Sequence, residues 1–272
     1  MELSVLILAA GKGTRMKSIL PKVMQPLAAK PLLAHVLETA KQLQAQRTIV
    51  VYGHGGELVQ KHFSDEPIGW ALQAEQKGTG HAVQVALSQL PETGKTLLLY
   101  GDVPLTTTTT LEKLLALVTD DNSLGLLSVN LDNPTGYGRI VREAGLVQRI
   151  VEQKDASEQE KLITEVNTGI LCVPNKHLHT WLPTLKNTNA QGEYYLTDII
   201  ALAVADGITV QTHQPTAAWE VEGINDKLQL ATLERVYQRL QADNLMRAGA
   251  TIIDPNRFDV RGTVIIGMDV SF

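Results

Sequence analysis

The sequence predicts an α/β protein built on a mostly parallel sheet with helices on both faces. Short, almost wholly apolar runs such as LSVLILA and TLLLY recur, each followed by a stretch with helical spacing. The first of these runs leads directly into a glycine-bearing polar turn, GKGTRM, as a strand entering a ligand loop does. Hydrophobic residues make up 44% of the 272 residues and aromatics only 4%, so the core is aliphatic and large enough for one α/β domain plus an appendage.

Leu3–Ala9 reads as the first, central strand. Pro31–Ala45 is an amphipathic helix, with proline acceptable in its first turn. Arg47–Tyr52, rich in β-branched residues, is a strand; Gly55–Phe63 is a short helix; Gly69–Gln73 is a strand. Gly80–Leu90 is a helix entered through Gly78-Thr79-Gly80. Thr96–Tyr100 is a fully apolar strand that stops at Gly101-Asp102. The threonine run Thr106–Thr110 reads as loop and N-cap before the helix Leu111–Val118. The pattern then changes: Leu124–Leu131, Arg139–Arg142 and Leu146–Val151 read as strands of an antiparallel insertion, with a turn at Glu143-Ala144-Gly145. Glu165–Val173 is a strand, Tyr195–Ala205 a helix and Ile208–Thr212 a strand. Asn225–Ala248 is a long helix suited to an arm. Val260 and Ile266, and Val264 and Val270, recur at a six-residue period with Gly262 and Gly267 between them, the spacing of a β-helix coil. The resulting division is 1–227 as the main domain, 228–249 as a helical linker arm and 250–272 as the first coil of a β-helix.

The formal net charge of -5 argues against a surface that coats nucleic acid. The single cysteine, Cys172, lies in the apolar run GILCV; it excludes an internal disulfide and a cysteine-rich zinc site and suits a reducing compartment. The apolar N-terminal run lacks the basic residues of a signal peptide and is too short to span a bilayer, so the expectation is a cytoplasmic protein with no membrane association.

Against this acidic background, Gly11 to Lys22 carries Lys12, Arg15, Lys17 and Lys22 and no acid, which points to a phosphorylated ligand. Gly11 and Gly13 let the backbone approach that ligand. The spacing fails the Walker pattern, and Met16 stands where a dinucleotide fingerprint needs its third glycine. Arg15 suits a triphosphate better than a pyrophosphate resting on a helix end. A nicotinamide-dependent oxidoreductase is disfavoured on both counts. A catalytically silent nucleotide-binding module is disfavoured by the number of polar residues at strand ends.

In open parallel sheets the ligand lies beyond the carboxyl ends of the strands, and polar groups collect there: Leu8–Gly13, Leu72-Gln73-Ala74-Glu75 and Tyr100-Gly101-Asp102. Asp102 is either a ligand of Mg²⁺ held jointly with substrate phosphates or a turn residue before Pro104. Asn225 either caps the long helix or turns its amide oxygen to a metal. Gly138, Glu152 and Asn167 are of the types that read sugar hydroxyls and amides. His81 reads as structural, and His177 with His179 makes no credible metal pair.

The strings LAAGKGTRM, LPK, YGHGG, LQAEQKGTGHA, YGDVPL, DNPTGYGRI, VNTGI, NAQGEYYLTDII and EVEGIN together resemble the sugar nucleotidyltransferases, and within them the bacterial N-acetylglucosamine-1-phosphate uridyltransferases. The resemblance covers nearly the whole chain. Families that activate cyclitols or the molybdenum cofactor share the first loop but not the later series. The resemblance implies a Rossmann-like, GT-A-like nucleotidyltransferase fold. It implies Mg²⁺-dependent formation of UDP-N-acetylglucosamine and pyrophosphate from UTP and N-acetylglucosamine 1-phosphate, for peptidoglycan and lipopolysaccharide precursors. The alternative is transfer to another sugar phosphate or from another base.

By the same resemblance, Leu8, Ala9, Ala10, Gly11, Gln73, Gly78 and Thr79 hold the nucleotide, with Tyr100 and Gly101 beside them. Arg15 and Lys22 hold phosphates; Asp102 and Asn225 bind Mg²⁺; Gly138, Glu152, Asn167 and Asn225 hold the sugar. Lys154 ranks lower. Arg15, Lys22 and Asp102 are the implied catalytic set. The resemblance also implies a second activity in the full-length proteins, acetylation of glucosamine 1-phosphate with acetyl-CoA by a trimeric left-handed β-helix. The expectation for residues 1–272 is uridyl transfer without acetyl transfer, and weakened trimerisation.

Overall fold

The computed structural model describes residues 1–53 and 55–272; His54, within the YGHGG string, lies outside the described residues. The strands are β1 (Leu3–Ala9), β2 (Pro26–Leu27), β3 (Lys30–Pro31), β4 (Arg47–Tyr52), β5 (Gly69–Leu72), β6 (Lys95–Tyr100), β7 (Ser123–Asn130), β8 (Arg139–Glu143), β9 (Leu146–Val151), β10 (Glu165–Pro174) and β11 (Thr209–His213). The helices are α1 (Leu32–Gln42), α2 (Glu57–His62), α3 (Thr79–Ala86), α4 (Thr108–Ala116), α5 (Asn175–Trp181), α6 (Asp198–Ala205) and α7 (Lys227–Arg247).

The main sheet runs β11-β7-β10-β6-β1-β4-β5. β1 pairs in parallel with β4 on one side and β6 on the other, β4 with β5 and β7 with β11. β10 lies antiparallel between β6 and β7, and the β8–β9 hairpin leaves the sheet through Val166 opposite Arg139. β7, expected in an antiparallel insertion, instead belongs to the main sheet, parallel to its edge strand. The chain passes from β1 to β4 and β5 and then crosses back to β6 on the far side of β1. That reversal opens a crevice above the carboxyl ends of β1 and β6.

Side-chain alternation divides the core in two. Leu6 and Leu8 of β1 pack with Ala82 and Val83 of α3, Trp181 of α5 and Ile199 of α6. Val5 and Ile7 pack with Val36 of α1, Val59 of α2 and Leu111 of α4 on the opposite face. Both faces of β1 are therefore buried, which explains why its sequence is a continuous apolar run.

Several elements differ from expectation for identifiable reasons. Pro31 closes β3 and stands just before α1 rather than inside it. α4 begins at Thr108, within the threonine run, because the Thr107 hydroxyl caps it, accepting from Thr110 N–H at 3.3 Å. α6 begins at Asp198, not Tyr195, because the preceding residues are held by tertiary contacts: Leu196 N–H donates to Thr79 Oγ1 at 3.2 Å and Tyr195 O–H to Asp155 at 3.1 Å. α5 was not anticipated; buried Asn175 fixes its start, donating to Thr93 O at 2.8 Å and accepting from Thr96 Oγ1 at 2.6 Å. The N-cap of α7 is Asp226, which accepts from Leu228 and Gln229 N–H, each at 2.9 Å; this corrects the reading of Asn225 as the cap.

α7 is not free along its length. Leu233 is buried with Met16, Leu27, Leu32, Leu105 and Ile224, and Glu234 accepts from Ala28 N–H at 2.6 Å. Past α7 the chain returns on itself, pairing Thr251 with Ser271 in parallel.

Candidate active site

A cavity of 320 Å³ occupies the crevice above β1 and β6. Leu8, Ala9, Ala10 and Gly11 line one wall, Tyr100 and Asp102 another, and Gln73, Gly78 and Thr79 a third. Lys22 reaches in from the far end of the glycine loop. Val23, Gln76, Ala82 and Glu193 also line it and were not singled out as site residues. Both lie in strings singled out in the sequence, Gln76 in LQAEQKGTGHA and Glu193 in NAQGEYYLTDII, but nothing local shows that the two segments meet at one cavity.

The loop after β1 is held open by its own geometry. Gly13 has φ 60°, and a Cβ there would stand 2.7 Å from Lys22 Cβ. Gly78 has φ 105°, and a Cβ there would stand 2.5 Å from Tyr194 O. Glycine is required at both positions, where the backbone packs closely against Lys22 and Tyr194. The segment that carries Glu193 is pinned to the Gly78 loop: Gly80 N–H donates to Tyr194 O, and Tyr194 N–H to Lys77 O, both at 2.8 Å. Gln73 is buried, its amide nitrogen 3.0 Å from Gly78 O and 3.2 Å from His81 Nδ1. His81 thus takes a structural place beside Gln73. His177 and His179 turn their Nε2 atoms to separate backbone carbonyls, of Asp121 and Leu90.

Lys22 Nζ contacts Asp102 Oδ2 and also donates to Asn225 Oδ1 at 3.1 Å. Asp102 follows β6 and Asn225 precedes α7, yet their oxygens converge on one cationic centre. Backbone pairing brings the two segments together, with Ile224 N–H donating to Asp102 O at 2.9 Å. Two hard oxygen donors aimed at one point of positive charge are what a divalent cation shared with phosphates requires, so the residues fit such an ion. Among the described residues no group of three or more His, Cys, Asp and Glu side chains forms a metal cage. Arg15 is exposed and lines a second, adjoining cavity of 310 Å³ with Asp102, Thr135, Tyr137, Asn225 and Gln229.

Gly138, Glu152 and Asn167 lie outside these two linings but meet one another beside Tyr100. Asn167 N–H donates to Gly138 O at 2.9 Å, and a Cβ at Gly138 would stand 2.9 Å from Ile150 Cγ2 and 3.4 Å from Glu152 Oε1. β10 bulges between Asn167 and Leu171, and Asn167 Oδ1 accepts from Gly169 N–H at 2.9 Å. Gly169 has φ 86°, and its missing Cβ leaves room for the Tyr100 ring, whose nearest atom would lie 2.5 Å away. Burial and the charges of Asp102 and Glu152 push the Tyr100 phenol up, so it stays protonated. Gly101 lines neither cavity; its absent Cβ admits Val23 and Ala9 at 3.0 and 3.1 Å. Gly169→Ala is expected to destabilise the fold by about 2–3 kcal/mol, measured by urea unfolding, because it combines left-handed strain with a clash against the half-buried Tyr100 ring.

Burial raises the Glu152 carboxyl pKa; the Thr197 hydroxyl, donating at 2.9 Å, opposes this, while Asp155, Asp198 and Glu193 add to it. A raised folded-state pKa means that the ionised group costs stability, and that the cost is relieved as pH falls through that pKa. Glu152→Gln is therefore expected to melt above the parent protein at neutral pH. The difference should narrow as pH drops into the carboxylate range, which thermal melts across pH 4–8 would show.

A model of the MobA-like NTP transferase domain matches residues 5–164, more than half of the chain, from within β1 to just short of β10. The chain belongs to the MobA-like NTP transferase domain family. The match takes in the glycine loop, Lys22, Gln73, Gly78 and Asp102, and it extends well past the first loop to Gly138 and Glu152. Asn167 and Asn225 lie beyond it. Nucleotidyl transfer in this family generally uses a divalent metal ion.

Over 270 residues the chain is 60% identical to the bifunctional protein GlmU of Acinetobacter baumannii (strain AYE), covering 99% of this chain and 59% of that protein. It is 58% identical over 270 residues to the bifunctional protein GlmU of Thiobacillus denitrificans, with the same coverage of 99% and 59%. The chain thus spans about three fifths of the length of these relatives. In fold it is similar to a UDP-glucose pyrophosphorylase complexed with UDP-glucose, at TM-score 0.69 and 17% identity over 87% of this chain and 98% of that one. A putative glucose-1-phosphate thymidylyltransferase from Bacillus anthracis, in complex with sucrose, is similar at TM-score 0.66 and 18% identity over 86% and 94%. At this level of identity the likeness is one of fold alone. Among the described residues no helix is long and apolar enough to cross a membrane.

Proposed function

We propose that the chain transfers uridylyl from UTP to N-acetylglucosamine 1-phosphate, releasing pyrophosphate and forming UDP-N-acetylglucosamine. The observation that carries the reaction class is the convergence of Asp102, Asn225 and Lys22 on one centre at the mouth of the glycine-loop cavity. The choice of base and sugar rests on the 60% identity to proteins named bifunctional protein GlmU.

In this reading the uridine base lies against Gln73, Gly78 and Thr79, and the ribose and α-phosphate run along Leu8–Gly11. The acceptor sugar sits against Gly138, Glu152 and Asn167, across Tyr100 from the nucleotide. Asp102 and Asn225 would hold Mg²⁺. The ion supplies charge neutralisation and Lewis-acid polarisation of the α-phosphate there. The acceptor phosphate has a second pKa near ~6 and is already largely a dianion at neutral pH, so it needs no general base. What this chain must supply is alignment and positive charge: the fixed loop amides align the α-phosphate, and Lys22 and Arg15 stabilise charge on the transferring and leaving groups. Attack is in line, and no enzyme nucleophile takes part.

We further propose that residues 1–227 carry the transfer, 228–249 form the link and 250–272 open a left-handed β-helix. The parallel Thr251–Ser271 bridge supports the last point, as it brings the backbone round by one coil. Acetyl transfer and stable trimerisation then belong to a longer chain.

The test is pyrophosphate release with UTP and N-acetylglucosamine 1-phosphate, with Mg²⁺ and with chelator. Magnesium-dependent release that needs both substrates is expected. Release with a different sugar phosphate or nucleotide alone would reassign the specificity. No release from folded protein with any pair would overturn the reading.

A further inference from the structure

The segment between β11 and α7 carries a buried carboxylate that the proposed reaction does not use. Glu220 is 2% exposed. Its Oε2 accepts from Thr107 Oγ1 at 2.8 Å and from Thr110 Oγ1 at 2.6 Å. Its Oε1 accepts from the N–H groups of Thr216 and Ala217, at 3.0 and 3.3 Å. Its backbone carbonyl accepts from Thr106 Oγ1 at 2.8 Å. A buried carboxylate is tolerable only when donors surround it, and here the donors come from two distant segments.

Those segments are the ones that bear the converging oxygens. Thr106–Thr110 follows Asp102 by a few residues. Thr216–Glu220 leads directly into Gly223–Asn225. Capping α4 needs only Thr107, which already accepts from Thr110 N–H. The Glu220 bonds go further and tie the start of α4 to the turn before α7. With the Ile224 N–H to Asp102 O bond, the two segments are fastened at two points.

We infer that Glu220 is the positioning residue for the Asp102–Asn225 pair: its carboxylate clamps the two segments at the separation that lets both oxygens reach one divalent cation. Mg²⁺ demands near-ideal octahedral geometry, so a small shift between two of its ligands is costly. The inference rests on the proposed reading of Asp102 and Asn225 as metal ligands.

The test titrates Mn²⁺ alone, followed through its free-ion EPR signal, into the whole chain and into Glu220→Gln, Thr110→Val and Asp102→Asn. Glutamine puts an N–H₂ group where one pair of donors points, and valine removes one hydroxyl at nearly constant shape. Both changes are expected to weaken Mn²⁺ binding at least ~10-fold, the size seen when partners of metal ligands are lost. The Mg²⁺ concentration for half-maximal turnover should rise in parallel while KM for UTP stays within about twofold, a split that a general loss of structure would not produce. Parental Mn²⁺ affinity in both variants overturns the inference. If Glu220→Gln does not fold, Thr110→Val decides by the same criterion. Asp102→Asn separates the two failures. If it too binds Mn²⁺ like the parent, the metal reading falls and the inference with it. If it alone loses binding, only the clamp is refuted.

Discussion

Arg15→Ala is expected to lower turnover about 10³-fold, roughly 4 kcal/mol of transition-state stabilisation, with the melting temperature unchanged. Arg15 is exposed on the loop after β1 and borders the cavity shared with Asp102 and Asn225. Among the described residues it makes no hydrogen bond and no ion pair, so its removal withdraws nothing from the fold. Its charge is free to meet the phosphates of the proposed substrates. A guanidinium stabilises spread negative charge with two parallel donors, which lysine does not reproduce, so Arg15→Lys should recover only part of the loss. Steady-state kinetics on the three proteins checks this. Turnover of Arg15→Ala within tenfold of the parent would remove Arg15 from the mechanism.

Asp102→Asn is expected to lower turnover by about 10³-fold or more and to weaken the response to Mg²⁺ strongly, since it removes the carboxylate assigned to the ion. The neighbouring substitution has the opposite sign for metal binding. Lys22 Nζ sits on both oxygens assigned to the ion, and the pair with Asp102 is only 14% exposed on either side chain. Ammonium and metal therefore compete for one place. Lys22→Ala should lose turnover yet bind Mn²⁺ alone more tightly than the parent, because the competing charge is gone. Equal or weaker Mn²⁺ binding by Lys22→Ala would show that Lys22 and the ion do not share the Asp102–Asn225 centre. Thermal melts are needed beside both experiments, since leaving Lys22 half-buried without its partner also costs stability.

Much of this was legible in the sequence because it is local. A strand buried on both faces must be apolar throughout, so β1, β4 and β6 declared themselves. Backbone that is both left-handed and crowded needs glycine, so Gly13 and Gly78 marked two loops beside the cavity. The uneven charge of Gly11–Lys22 marked the loop whose Lys22 reaches the crevice. The polar strings at Gly138, Glu152 and Asn167 marked a second cluster, although nothing in them says that it stands on the other side of Tyr100.

What the sequence left open is where long-range contacts overrule local preference. Ala28 and Ala29 take left-handed φ values of 50° and 66° in the β2–β3 turn, a conformation alanine does not choose alone. Glu234 of α7, bonding to Ala28 N–H, holds the turn in place. Asn225 and Asp226 are both good helix caps by type; only the docking of the segment onto Asp102 assigns the cap to Asp226 and turns Asn225 inward. Glu220 reads as one more acid in EVEGIN until the fold brings the threonines of α4 around it. The sequence by itself determined the long strands of the main sheet and the glycine-bearing basic loop after β1, because these follow from side-chain type and neighbours in the chain; the short β2–β3 pair escaped it. The tertiary structure alone decided that Asp102, Asn225 and Lys22 share one centre. That meeting depends on the crossover from β5 to β6 and on hydrogen bonds between distant segments, and no local pattern of residues encodes either.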